Sequence, residues 1–257
     1  MSSETKPYAT VKEFEQFVEE VKANRRFPYP LEWTFAVEEG WDWAVYQDKF
    51  AAYVLSTQVD LQPDDDKTDL KGKPLEDILR YFLEKGGFAH DIRELSAPSR
   101  WQVDGVGLLN RTATVMCWGK DLSSVCSPHI YMEAKNHIAA ATNDEFSLHC
   151  QRMRLHGCNV GVFASTSGFR IGRGEGIARD IYNLYLKDEI HLLLVFESFR
   201  SVIEESKAPL VVLSDVLTYA MNEEYENSVA LQQRYSEAAC HELAMQTHLE
   251  LSAEQPS

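Results

Sequence analysis

The sequence lacks the long apolar runs and the leader features that would place a chain in or across a membrane. No stretch approaches the roughly 18 consecutive apolar residues that a membrane-spanning helix needs. The first ten residues, MSSETKPYAT, contain neither the basic nor the apolar region of a secretory signal peptide. We therefore expect a cytoplasmic protein without a membrane partner.

Cysteine is scarce, and its spacing is irregular. The 257 residues include five cysteines, an odd number, and no C-x-x-C pair occurs among them. A disulfide framework is therefore not expected, and a reducing compartment fits better. Two histidines and two cysteines do cluster: His149, Cys150, His156 and Cys158. Their spacing matches no common zinc signature, so buried or incidental roles are the preferred interpretation.

Positive charge is in deficit, but unevenly along the chain. The net charge of −15 argues against a protein that coats nucleic acid with a basic surface. Residues 71–179 contain 14 Lys and Arg against 11 Asp and Glu, a balance of +3, which leaves −18 for the remainder. The middle of the chain could therefore approach a polyanion, whereas the acidic flanks favour a protein partner.

Composition changes divide the chain into three parts. Residues 10–24 carry apolar side chains at helical spacing, and the polar, acidic stretch 62–73 is the best linker candidate. We predict a helical, aromatic-rich accessory segment over residues 1–70, a core over 71–205, and a helical segment and tail over 206–257.

Helices and strands alternate in the predicted core. A helix is predicted from Pro74 to Gly86, since proline favours the first turn and glycine follows the last. A second helix is predicted between an Asn143 cap and Gly157, and a third over GEGIARDIYNLYLKD. The predicted strands are FAHDIREL, WQVDGVGLLN, the central HIYMEAKNH, NVGVFASTSG and the buried IHLLLVFES. This order predicts an α/β fold with a mixed central β-sheet flanked by helices on both faces.

Charged residues interrupt two of these strands. Asp104 lies within WQVDGVGLL, and Glu133 and Lys135 stand two apart in HIYMEAKNH, on the same strand face. Isolated buried charges are unfavourable, so such residues pair with one another or bind a metal ion. Two carboxylates on adjacent strands suit Mg²⁺, and a lysine beside them could activate a water or stabilise phosphate charge. The simpler alternatives are a surface ion pair on an edge strand for Glu133 and Lys135, and a type I′ turn at Asp104 and Gly105. The apolar residues around Asp104 favour a continuous strand with a bulge over the turn.

An Asp on one strand followed by E-x-K on the next resembles the PD-(D/E)xK nuclease superfamily, although Val103 replaces the proline of that motif. Four segments resemble the Mrr-like (type IV) restriction-endonuclease-like group in the same order: KGKPLEDILRYFLEKGGFAHDI, QVDGVGLLN, IYMEAKNH and GVFASTSGF. The resemblance spans about residues 71–200 and implies a restriction-endonuclease-like core. It does not extend to residues 1–70 or 208–257.

The resemblance implies a Mg²⁺-dependent endodeoxyribonuclease, with Mn²⁺ as a substitute cation. The implied metal ligands are Asp104, Glu133 and the backbone carbonyl of Ala134, with Glu76 on the preceding helix as a further ligand. Lys135 would position or activate the attacking water. The implied setting is prokaryotic or phage-related DNA processing, above all antiviral defence, and cutting of double-stranded DNA favours a homodimer.

Further residues are candidates for contacts around this site. Gln151 stands where the group often has a glutamine, on the helix after the E-x-K strand. Arg152, Arg154, Arg170 and Arg173 are candidate contacts to DNA phosphates, the last two in the glycine-rich stretch RIGRGEGIAR. This stretch lacks the Lys-Ser/Thr ending of a P-loop, and a solvated loop with scattered charge is an equally good interpretation.

Two other functions stay open on the sequence. The chain could be a binding or assembly subunit built on a nuclease fold, with little or no catalysis, and its acidic flanks would then engage a protein partner. It could also be an RNA-cutting or junction-resolving nuclease, which would use the same metal chemistry on a different substrate.

Overall fold

A five-stranded β-sheet organises the part of the chain that the structure describes. The structure is a computed structural model that describes residues 41–57, 68–96, 102–110, 113, 129–137, 139–169, 180–181, 183–184, 187–205, 207–220, 240 and 243–247. The strands are β1 (Ala89–Ser96), β2 (Gln102–Leu109), β3 (His129–Lys135), β4 (Val160–Ser165) and β5 (Ile190–Val195). They lie side by side in sequence order. β2 runs antiparallel to its two neighbours β1 and β3, whereas β3, β4 and β5 run parallel.

Helices lie on both sides of this sheet. They are α1 (Trp43–Thr57), α2 (Thr68–Lys85), α3 (Asn143–Leu155), α4 (Phe196–Glu204) and α5 (Pro209–Ala220). The larger core packs α1, α2, α4 and α5 against one face. On the other face α3 contributes Phe146, Cys150 and Met153 to two smaller clusters. The prediction of an α/β fold with a mixed sheet and helices on both faces is confirmed.

Side chains of β3 alternate between the two cores. Met132 lies in the larger core, whereas Tyr131 packs against α3. Glu133 and Lys135 follow Tyr131 at two-residue steps and therefore face α3 as well. β3 is the middle strand of the sheet, as predicted, and Glu133 is only 2% exposed. The alternative of a surface ion pair on an edge strand is therefore wrong.

β2 is irregular where Asp104 lies. Between its pairs with Arg93 and Leu95 of β1, β2 advances by three residues while β1 advances by two. The extra residue forms a β-bulge around Asp104, and bulges bend a strand and re-aim a side chain. β2 continues through this point without a turn. The interpretation as a type I′ turn is therefore wrong, and the bulge within a continuous strand is confirmed.

Several element boundaries differ from the prediction. α2 begins at Thr68, so Pro74 lies inside it and the boundary drawn between residues 70 and 71 falls within this helix. The cap of α3 is Thr142, one residue before the predicted cap. Its hydroxyl accepts the N–H of Glu145, whose carboxylate accepts the N–H of Thr142. The residues FES belong to α4 rather than to β5, and the helix predicted over 10–24 lies outside the described residues.

A buried polar network joins α1 to the ends of β3 and β4. The Tyr53 hydroxyl lies 2.9 Å from Oγ1 of Thr166, which donates to Oδ1 of Asn136 at 2.8 Å. Nδ2 of Asn136 donates to Oγ of Ser56, which donates to the Tyr53 carbonyl. Asn136 directly follows Lys135 in the sequence. Helix α1, which the sequence assigned to an accessory segment, thus holds the end of the E-x-K strand.

Asn136→Ala is expected to lower the free energy of unfolding by about 2 kcal/mol, because the buried Thr166 hydroxyl loses its acceptor. Tyr53→Phe, which removes one hydroxyl and keeps the buried ring, should cost only about 1 kcal/mol. Urea unfolding followed by tryptophan fluorescence measures both losses. An Asn136→Ala protein as stable as the wild type would contradict a structural role for the network.

Candidate functional site

The carboxylate of Asp104 lies against the backbone of β3. Its Oδ2 accepts the N–H of Ala134 at 2.7 Å, just beyond the last ladder pair of the two strands. The N–H and C=O of a strand residue point to the same side. The carbonyl oxygen of Ala134 is therefore directed toward β2 as well. Burial raises the pKa of Asp104; the bond from Ala134 opposes this rise, and the nearby charge of Glu133 adds to it.

Glu133 is buried between cationic and polar side chains. Its Oε1 lies 2.9 Å from Nζ of Lys135 and accepts a hydrogen bond from Nη1 of Arg152 at 3.2 Å. Its Oε2 accepts from the Tyr131 hydroxyl at 3.3 Å and lies 3.5 Å from Nδ1 of His149. Burial would raise the pKa of Glu133, but the contacts with His149 and Lys135 outweigh it and lower the pKa to about 2. The carboxylate is therefore ionised at neutral pH.

Glu76 reaches the same region from α2, and its side chain is only 15% exposed. Burial raises the pKa of Glu76, the charge of Asp104 raises it further, and the nearby Lys73 lowers it. Glu133 acts on the pKa of Asp104 in the same way. The charge of Asp104 thus acts on Glu76, and that of Glu133 acts on Asp104, whereas a metal site shared by the three carboxylates stays a prediction.

The donor set around Asp104 and Glu133 suits a hard divalent cation. Among the described residues, no three His, Cys, Asp or Glu side chains come together closely enough to hold a metal ion. The oxygen atoms available to a cation at this position are those of these two carboxylates and the carbonyl of Ala134. Mg²⁺ commonly binds proteins through one or two carboxylates and keeps several waters.

Helix α3 presents Arg152 and His149, rather than Gln151, to Glu133. Residues three apart lie on one face of a helix, whereas the residue next to Arg152 points elsewhere. Gln151 is exposed and lines a surface cavity of about 580 Å³ together with Arg154. The sequence-based interpretation placed Arg152 at the DNA surface, but the structure places its guanidinium on the carboxylate of the site.

A second cluster with the same residue types involves the opposite side of α3. Arg154 contacts Glu189 through Nε and Nη2 at 2.7–3.0 Å. The buried His191 lies beside it, with Nε2 at 3.8 Å from Oε2 of Glu189. Arg154 is thus engaged by a carboxylate outside the candidate site. Glu189 thus has an arginine and a histidine beside it, as Glu133 does, and the residues of this second cluster can serve as controls.

The two histidines and two cysteines that cluster in the sequence, His149, Cys150, His156 and Cys158, contact different partners in the structure. His149 faces Glu133, whereas Sγ of Cys150 lies 3.8 Å from Nε2 of His191. Sγ of Cys158 contacts the backbone carbonyl of His156. Burial raises the pKa of both thiols to about 12, and zinc binds the thiolate form.

The buried imidazole of His149 depends on a glycine in β4. Its ring stacks on Phe163 with the centroids 5.0 Å apart and meets His191 edge-on at 5.5 Å. A Cβ atom at Gly161 would lie 2.5 Å from Nε2 of His149.

Burial lowers the pKa of both His149 and His191, that of His191 to about 4. Both rings are therefore neutral at pH 7.

Stability is expected to fall as the pH drops from 6.5 to about 4, because the unfolded chain protonates His191 before the folded protein does. The contribution of the neutral His191 ring to the free energy of unfolding is fully present above pH 6.5, the pKa of the unfolded chain. It is lost as the pH falls to about 4, the pKa of His191 in the folded protein, a change of roughly 3 kcal/mol. Urea midpoints measured between pH 4 and 7.5 test this. His191→Gln should flatten the profile, and an unchanged slope would contradict the assignment.

Arg170 and Arg173 lie outside the described residues, so their contacts to DNA phosphates stay predictions.

Sequence reasoning missed Arg152, His149 and Tyr131 as neighbours of Glu133. The signal that could have found the first two is the helical phase of α3, in which positions 149 and 152 share a face.

Comparison with protein-family models, with curated proteins and with solved structures finds no match to this chain. None of the helices in the described ranges is long and apolar enough to cross a membrane.

Proposed function

We propose that the protein is a metal-dependent DNA endonuclease with a restriction-endonuclease-like core. The observation that carries the proposal is the arrangement at the carboxyl end of β3, where Asp104 contacts the backbone of Ala134 and Glu133 contacts Lys135. The bulge in β2 supports it, because it aims the Asp104 carboxylate at that strand end.

Each residue has a role in phosphodiester hydrolysis. Asp104, Glu133 and the Ala134 carbonyl would hold a divalent cation, with Glu76 beside them. The bound cation would supply positive charge that stabilises the transition state of phosphoryl transfer. Lys135 is held by Glu133 and remains 25% exposed, so its ammonium group is accessible to substrate. It would orient the attacking water and stabilise charge that develops on the phosphate.

The test is cleavage of supercoiled plasmid by the purified protein in Mg²⁺ or Mn²⁺. Lys135→Ala and Asp104→Asn should each lower the rate at least about a hundredfold. Chelation of the metal should stop cleavage in the wild type. Cleavage that survives both substitutions would remove these residues from the active site.

A binding or assembly subunit is the second candidate. The observation that favours it is that Lys135 and Arg152 both contact Oε1 of Glu133 and neutralise the charge of that carboxylate. The acidic flanks, which carry −18 of charge, suit a protein partner better than bare DNA. Plasmid, single-stranded RNA and a four-way junction tested side by side distinguish the candidates. Failure to cleave any of them in either metal favours assembly, and cleavage of RNA or the junction alone favours the other nuclease activities.

A further inference from the structure

Arg152 and Lys135 contact the same oxygen of Glu133. Oε1 receives both cations, at 3.2 Å and 2.9 Å, whereas Oε2 lies against Tyr131 and the fully buried His149. Both cationic side chains are partly exposed, Arg152 by 18% and Lys135 by 25%. Oε1 therefore lies on the solvent side of the carboxylate, where an entering cation would meet both the guanidinium and the ammonium group.

We propose that Arg152 is an exchangeable partner of Glu133, which holds the carboxylate until a divalent cation binds and then moves to a phosphate of bound nucleic acid. This inference rests on the proposed function. A divalent cation binds carboxylate oxygens at about 2.1 Å. A guanidinium 3.2 Å from Oε1 would then lie close to it, in a partly buried place where like charges repel strongly.

Arg152 is better suited to move than Lys135. Lys135 shares strand β3 with Glu133, and its backbone carbonyl accepts the N–H of Thr166, so its position is tied to the sheet. Arg152 projects from α3, near the end of that helix, and reaches Glu133 only through its long side chain. The planar guanidinium also matches a phosphate group through paired N–H donors, which an ammonium cannot do.

A fixed structural role for Arg152 and the proposed exchange predict opposite changes in metal affinity when Arg152 is removed. If Arg152 only supports the buried carboxylate, its removal should disturb Glu133 and weaken metal binding. If it is exchanged for the metal, its removal should strengthen metal binding and yet slow cleavage. Metal affinity and cleavage rate would then change in opposite directions.

The experiment measures Mn²⁺ binding to the full chain without nucleic acid, from the electron paramagnetic resonance signal of free Mn²⁺. Arg152→Met is expected to lower the Kd for Mn²⁺ about tenfold, the equivalent of one charge-assisted hydrogen bond. Arg152→Lys should lower it by about threefold, because lysine keeps the positive charge but lacks the planar guanidinium that places Nη1 on Oε1 of Glu133. Arg154→Met removes the matched arginine of the same helix and should leave the Kd unchanged.

Single-turnover cleavage at saturating Mn²⁺ completes the test, and Arg152→Met should be slowed about a hundredfold. Thermal melting shows whether each variant is folded; should Arg152→Met fail to fold, Arg152→Lys gives the deciding Kd. Suppose that the wild type binds Mn²⁺ and cleaves DNA, but the folded variant has an unchanged or raised Kd for Mn²⁺. The exchange of Arg152 for the cation is then overturned, and the proposed function stands. Tighter binding with an unchanged rate overturns the move to phosphate. A wild type that binds no Mn²⁺ overturns this proposal together with the proposed function.

Discussion

Glu133→Gln is expected to abolish DNA cleavage, with the single-turnover rate constant in saturating Mg²⁺ falling by at least about a thousandfold. The amide keeps the size of the side chain but removes the negative charge that holds Lys135 and would hold a cation. The effect should exceed that of Lys135→Ala, because two interactions are lost together. A Glu133→Gln protein that retains a tenth of the wild-type rate would contradict the assigned site.

Glu189→Gln is the matched control for this prediction. Glu189 pairs with Arg154 of α3, the helix that also carries Arg152, and has His191 beside it. Its replacement therefore breaks a comparable set of contacts. Because Glu189 lies outside the candidate site, Glu189→Gln is expected to cleave at the wild-type rate. Equal losses in both variants would mean that disturbance of α3, rather than loss of a ligand, stops the reaction. Near-ultraviolet circular dichroism verifies that both proteins are folded.

Gly161→Ala is expected to lower the free energy of unfolding by about 3 kcal/mol, the upper part of the range for overpacked cores. The added Cβ would lie 2.5 Å from Nε2 of His149 and 2.8 Å from Sδ of Met153. Both side chains are fully buried on α3, and β4 is paired on both edges, so neither side can yield easily. Urea unfolding at pH 7 measures the loss.

Gly72→Ala is the control for that substitution. Gly72 lies in α2, and the nearest atom to an added Cβ is Oε1 of Glu76 at 3.6 Å, an ordinary contact. Alanine is the better helix former, so this protein should gain up to about 1 kcal/mol of stability. The two glycine substitutions should therefore shift the urea midpoint in opposite directions. A stable Gly161→Ala protein would mean that α3 packs less closely on β4.

The sheet could be predicted from the sequence because its strands have strong local signals. β3 alternates between two cores, and β4 and β5 are apolar runs that are buried on both faces. The capping box of α3 was readable too, since Thr142 stands three residues before Glu145. The prediction chose Asn143, which is equally favourable as a cap, and so missed the reciprocal bond that decides between them.

The polar contacts of the site were harder to predict, because they join residues far apart in the chain. Tyr53 and Thr166 are 113 positions apart, and no local pattern connects them. The resemblance favoured Gln151 as the accessory residue on α3. The rotation of α3 about its axis places Arg152, rather than Gln151, against Glu133. That rotation follows from burial of Phe146 and Met153 against the sheet.

The polar network of α1 bears on any shortened form of the protein. A chain that began at residue 71 would retain Asp104, Glu133 and Lys135 but would lose Tyr53 and Ser56. The α1 helix also covers part of the larger core, so its removal would expose apolar surface. Such a fragment is expected to aggregate rather than to fold on its own. We therefore expect the smallest unit that folds on its own to include residues 43–57.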